Sequence, residues 1–147
     1  MMSKSLDIYA LDTDHCTVLQ RGGDGYNGLT ARLRAIAPDD YGTTIVSYEE
    51  QFKGWLDRLH RVNTSALRIE AYTQLQESLR FYSGLAVWEY TTEADAEYTR
   101  LVKAKVRVGT KDLLIASIAL ANNATVLTRN ARDFGKIPGL KFEDWTV

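Results

Sequence analysis

Thr110-Lys111-Asp112-Leu113-Leu114-Ile115-Ala116-Ser117-Ile118-Ala119-Leu120-Ala121-Asn122, followed at once by Ala124-Thr125-Val126-Leu127-Thr128, decides the fold class. The first run is too long for a strand and apolar on almost every helical face, so it predicts a helix deep in a core. The second is short, apolar and β-rich, and predicts a buried strand. A buried helix feeding a buried strand belongs to a layered α/β protein.

Working outward, the same alternation recurs. Leu6 to Leu11 predicts a first buried strand ending at Asp12, with a short helix over 13–21 that breaks at Gly22-Gly23-Asp24-Gly25. No Lys-Ser/Thr follows those glycines, so they form a turn and not a phosphate loop. A helix over 28–36 stops at Pro38-Asp39-Asp40. Gly42 to Val46 is β-branched and predicts a second strand. From Ser47 the period turns helical through Phe52, Trp55, Leu56 and Leu59. A further helix over 64–81 carries Leu67, Ala71, Leu75 and Leu79 on one stripe, and the two helices suit a hairpin. Leu85 to Trp88, a helix over 92–104, and Leu140-Lys141-Phe142 complete the pattern. The expectation is one α/β sandwich spanning 1–147 with a mainly parallel sheet of about five strands.

The chain has 147 residues, 45% hydrophobic and 25% charged, which suits one soluble domain with a real core. Its formal net charge of -1 gives no general attraction for polyanions, although gathered carboxylates would themselves lower that figure. Cys16 is the single cysteine, so no internal disulfide forms. With no leader or membrane-length apolar run, the expected location is the cytoplasm, with no membrane partner.

In a parallel sheet, ligands bind beyond the carboxyl ends of the strands. Acids recur at those places. Asp12 ends the first strand, with Asp14 two residues on, and either could simply cap the next helix. Glu50 follows the second strand, spaced from Ser47 as a capping box. Asp112 lies in the first turn of the buried helix, with Thr110 a natural cap and the helix dipole favouring the charge. After the fourth strand come Arg129, Asn130, Arg132 and Asp133, of which Asn130 or Asp133 could cap a short helix. Singly, each has a structural explanation. Together they point to a hard-oxygen site for Mg²⁺ or Mn²⁺, because several carboxylates in one crevice need a cation to coexist.

Leu11-Asp12-Thr13-Asp14, Ser47-Tyr48-Glu49-Glu50-Gln51-Phe52-Lys53-Gly54 and Gly109-Thr110-Lys111-Asp112-Leu113-Leu114-Ile115-Ala116 resemble three successive motifs of the PIN-domain family. The tail, from Ala124 to Asn130 and on through Pro138-Gly139-Leu140 to Asp144-Trp145, completes a resemblance nearest the VapC toxins of toxin–antitoxin pairs. That resemblance implies a PIN-like three-layer α/β/α sandwich. It also implies a metal-dependent endoribonuclease acting on RNA, silenced by a VapB-type antitoxin and forming a homodimer. By motif, the catalytic and metal-holding acids are Asp12, Glu50 (four residues before Gly54) and Asp112. For the fourth position the resemblance leaves two candidates: Asn130 stands where many relatives have Asp, and related toxins shift the role to an acid just after, here Asp133. Asp14, Thr13, Thr128, Asn130 and Arg129 are expected around the metal or the substrate, and Lys53, Arg129 and Arg132 could steer the RNA backbone.

Two other readings compete. Asp12-Thr13-Asp14 also begins a haloacid-dehalogenase-type phosphatase motif, but Cys16 replaces its threonine. A non-catalytic binding module is the other, against which all three principal acids stand. His15 and His60 lack a zinc-ligand pattern, and Cys16 is expected to be a small buried side chain. Trp55, Tyr72, Phe81 and Tyr82 suit either helix packing or a groove for an antitoxin helix. Trp88 and Trp145 are expected in the core.

Overall fold

The computed structural model describes residues 7–147, so Leu6 of the first expected strand lies outside it. Strands β1 (Tyr9–Leu11), β2 (Tyr41–Thr44), β3 (Val87–Trp88), β4 (Thr125–Leu127) and β5 (Lys141–Glu143) form one sheet in the order β3-β2-β1-β4-β5. Every pairing is parallel. The helices are α1 (Thr13–Arg21), α2 (Tyr26–Arg34), α3 (Ile45–Arg61), α4 (Ser65–Ser83), α5 (Thr92–Lys103), α6 (Thr110–Ala121) and the short α7 (Ala131–Phe134). Among the described residues no helix is long and apolar enough to cross a membrane.

Strand alternation builds two cores. Leu11 and Leu127 point to one face, where Cys16, Leu29, Leu33, Tyr82 and Trp145 pack. Val126 points to the other, against Leu113, Ile115, Ile118, Leu101 and Phe134. Helices on both faces of a parallel sheet give the expected α/β/α sandwich. The apolar α6 is buried over most of its length, as its sequence requires. Trp145 is buried, and Trp88 packs partly buried against the core. β2 lies close beneath β3: a Cβ on Gly42 would come 2.5 Å from the carbonyl oxygen of Ala86, so only glycine fits.

Three local expectations are corrected. The second strand ends at Thr44, not Val46, and α3 begins at Ile45. Beyond Thr44, which pairs with Trp88, β2 has no further ladder partner, and the Thr44 hydroxyl instead accepts the Ser47 N–H at 3.1 Å. Capping therefore prevails over the β-propensity of Ile45 and Val46. As a consequence, Ser47 lies inside the helix, and the Ser47–Glu50 capping box does not form. At α6 the cap is Gly109, without a side-chain cap bond, and not Thr110. On α4, Ala71, Ser78 and Tyr82 face inward, whereas Leu67 and Leu79 of the expected stripe stay 42% and 53% exposed.

Candidate metal centre at the carboxyl edge of the sheet

The order of strands reverses around β1, with β2 on one side and β4 on the other, so their carboxyl ends open a crevice at the switch point. Asp12 leaves β1 there, and its N–H donates to the Leu127 carbonyl at 3.0 Å, continuing the β1–β4 ladder by one bond. Its side chain caps α1 by accepting the His15 N–H at 3.2 Å. Asp12 is only 5% exposed. Burial pushes its pKa well above the ordinary carboxylate value, and the neighbouring Asp14 adds to that; the Thr128 hydroxyl and the His15 amide oppose it.

Asp14 behaves oppositely. Burial raises its pKa, but hydrogen bonds from His15, from Asp12 and from the Arg129 N–H outweigh it and hold the carboxyl below its usual range. The Arg129 amide lies 3.1 and 3.3 Å from its two oxygens. Arg129 thus offers the site its backbone. Its guanidinium turns to Thr146 and to the carbonyl of Asp24.

Glu50, freed from capping, accepts the Thr13 hydroxyl at 2.7 Å. Asp112 enters from α6, half-buried. Burial raises its pKa first, followed by repulsion from Glu50, Asp133 and Asp14, while Asn130 lowers it. The Asn130 side chain caps α7 and donates from Nδ2 to Asp133 at 3.0 Å and to Asp112 at 3.4 Å. Asp133 is held below the ordinary range by that Asn130 bond, with help from Arg132 and Lys136. Thr128 orients Asn130 by accepting its N–H at 2.9 Å. The two candidates for the fourth position therefore stand together, bridged by the amide. Lys53 is exposed, and the Arg132 side chain is 85% exposed beside Asp133.

Sequence reading weighed His15 only as a zinc ligand and gave it no other role. It is fully buried beneath the carboxylates, and an oxygen of Asp12, one of Asp14 and a ring nitrogen of His15 lie within 4.8 Å of one another. Nδ1 is 2.7 Å from Asp14, and Nε2 accepts the Trp145 N–H at 3.2 Å. That pattern suits the Nδ1–H tautomer and leaves neither nitrogen for a ligand. The signal in the sequence was its place three residues after Asp12, under the strand end. Changing His15 to Ala strands the Trp145 amide, removes a donor from Asp14 and opens a cavity. Thermal or urea unfolding is expected to report a loss of about 2–4 kcal/mol.

The donors left over are all oxygens, which suits a hard cation. Among the described residues no lysine or arginine forms an ion pair with Asp12, Glu50 or Asp112. Lys111, next to Asp112 in sequence, pairs with Glu49 instead. One buried carboxylate and two partly buried ones, with no lysine or arginine paired to them among the described residues, fit a divalent ion. The Cys16 thiol, pushed up to about 12 by burial, sits against Thr43 and the Leu11 carbonyl, so it cannot stand in for a phosphatase threonine.

Comparison with known proteins shows the family and the fold. A PIN-domain family profile matches residues 11–140. Ribonuclease VapC1 of Haemophilus influenzae is 44% identical over 140 residues, covering 95% of this chain and 98% of the relative. Ribonuclease VapC2 of Rickettsia felis is 32% identical over 146 residues, covering 94% and 98%. Among solved structures, VapBC2 from Rickettsia felis bound to a promoter DNA fragment superposes with a TM-score of 0.69 at 26% identity, over 94% of this chain and 98% of that one.

Proposed function

Because the chain belongs to the PIN-domain family, among its VapC ribonucleases, we propose that it is the ribonuclease toxin of a toxin–antitoxin pair and cuts RNA at the carboxylate crevice with Mg²⁺ or Mn²⁺. The observation that carries the catalytic reading is the convergence of Asp12, Glu50 and Asp112 with, among the described residues, no Lys or Arg paired to them. These three hold the cation, directly or through water. Asp133, joined to Asp112 through Asn130, is the fourth acid at the rim.

A divalent cation there supplies a more acidic water and neutralises charge at the scissile phosphate. The chain's own residues do the positioning. Thr13 fixes one oxygen of Glu50, and Thr128 and the His15 amide fix Asp12. Asp14, locked by His15 and the Arg129 amide, keeps its charge beside Asp12 and adds to the negative field that a divalent cation would neutralise.

The antitoxin has a place to dock. Tyr48, Phe52, Tyr72, Leu75 and Leu79 line an apolar hollow of about 280 Å³ between α3 and α4, where Tyr72 is 58% exposed. Trp55 and Tyr82, by contrast, are buried. An amphipathic antitoxin helix suits such a groove. The toxin is read as a homodimer.

The deciding experiment is cleavage of total RNA by the purified chain, freed of antitoxin, with Mg²⁺ and then with EDTA. Cleavage is expected with the cation and none in chelator. Equal cleavage in both overturns the metal-dependent reading.

A further inference from the structure

A second feature is laid out along the seam between α1 and α3. Thr13, Thr17 and Arg21 fall at four-residue intervals on one face of α1. At one end of this stripe Thr13 touches Glu50. In the middle Thr17 accepts a bond from Gln51 at 2.9 Å, and Gln51 accepts the Tyr82 hydroxyl at 2.6 Å. At the far end, about 12 Å along the helix axis, the seam opens into a hollow of about 300 Å³ that Arg21, Arg58 and Arg61 line together with Gly54 and Trp55.

That hollow is cationic, and two of its three arginines have no ion pair among the described residues. The Arg21 guanidinium lies 4.9 Å from the centre of the buried Trp55 ring, and that of Arg58 lies 5.8 Å away. The indole thus holds two guanidiniums in place without neutralising them. Arg58 pairs with Glu70 at 3.3 Å, but among the described residues neither Arg21 nor Arg61 has an ion pair. Among the described residues no acid lines the hollow; Glu77 of α4 lines the adjoining one, which shares Arg21 and Trp55. A Cβ on Gly54 would meet nothing within 4 Å, so the floor is open to a ligand.

A chain of net charge -1 whose reaction centre is built of carboxylates must hold a polyanion by some other surface. Guanidinium forks match phosphate oxygens in geometry as well as charge. We propose that the arginine hollow binds backbone phosphates of the RNA strand being cut, on one side of the scissile bond, with the α1–α3 seam as the path between. This inference rests on the ribonuclease reading above. An acidic segment of a protein partner is the competing occupant, and continuity of the seam with Glu50 favours the RNA.

The test uses the full chain, a short fluorescein-labelled single-stranded RNA of mixed sequence, and EDTA to keep the probe intact. In the double variant R21Q/R61Q, affinity at low salt is expected to fall about tenfold or more. The slope of log affinity against log salt should shrink by about 1.4, at roughly 0.7 per lost phosphate contact on a single strand. With Mg²⁺ restored, the loss should appear in KM and spare kcat. Gly54→Glu places a carboxylate in the hollow while replacing a helical glycine, so it should lose binding without losing thermal stability.

Unchanged affinity and salt slope in both variants overturn the inference. So does intact RNA binding in R21Q/R61Q together with weakened antitoxin binding, which assigns the hollow to a protein segment. In either case cleavage that still requires Asp12 leaves the ribonuclease reading standing. Wild-type protein that neither binds nor cuts RNA overturns both.

Discussion

Asp12→Asn is expected to lower the rate of RNA cleavage by about a thousandfold or more while leaving the protein folded. Losing one charged ligand from a cation that stabilises a phosphate transition state removes several kcal/mol, and each 1.36 kcal/mol is a factor of ten. Folding should survive because asparagine caps a helix as well as aspartate, so the bond from the His15 N–H is kept. The substitution also removes a charge that burial penalises and Asp14 repels. Without metal, the variant should therefore melt at or above the wild-type temperature. Cleavage kinetics, Mn²⁺ binding and thermal melts check the three parts. Undiminished cleavage would remove Asp12 from the reaction centre.

The second large effect is the dependence of stability on pH and on the cation. Asp12 and Asp112 both have pKa values raised above the ordinary 3.8. A raised carboxyl favours the folded state while it is protonated. That contribution is full below 3.8 and is lost as pH rises through the raised folded value. Asp14 and Asp133 are lowered and act in the opposite sense, with stability present above 3.8 and lost as pH falls through their depressed values. Of these four carboxyls only Asp12 is buried, so its ionised form is the one that folding penalises most. Metal-free protein should thus be most stable in mildly acidic solution and weaken toward neutrality. Mg²⁺ or Mn²⁺ at about a hundred times its dissociation constant adds about 2.7 kcal/mol, or about 5–10 °C of melting temperature for a chain of this size. The gain should shrink in acid, where protons compete for the same oxygens. Melts across pH in EDTA and in Mg²⁺ measure it; a gain independent of pH would contradict carboxylate ligation.

The ribonuclease and its site were legible to different depths. The α6–β4 run and the strand-ending acid at Asp12 carry their meaning in residues next to one another in the chain. Periodicity, β-branching and apolar length are local quantities, and they placed the helices and strands of an α/β sandwich within a few residues. The likeness to PIN motifs then pointed at Asp12, Glu50 and Asp112. Where local signals conflicted, as at Thr43-Thr44-Ile45-Val46, reading by propensity extended the strand too far. The end of the β2 ladder against β3 and the Thr44 cap settled that boundary.

By itself, then, the sequence determined an α/β chain with acids at its strand ends and helix mouths, because these follow from neighbours in the chain. Only the tertiary structure decided which acids are free of capping work. Glu50 is released because α3 starts two residues early, whereas Asp12 still caps α1. Only the tertiary structure could also place His15 between Asp14 and the Trp145 amide, 130 residues away in sequence, or bridge Asp112 to Asp133 through Asn130. The arginines beside Trp55 are likewise brought together only where α1 and α3 meet. In each case the partner is distant in the chain, and its identity is set by the parallel crossovers that bring the strand ends into one crevice.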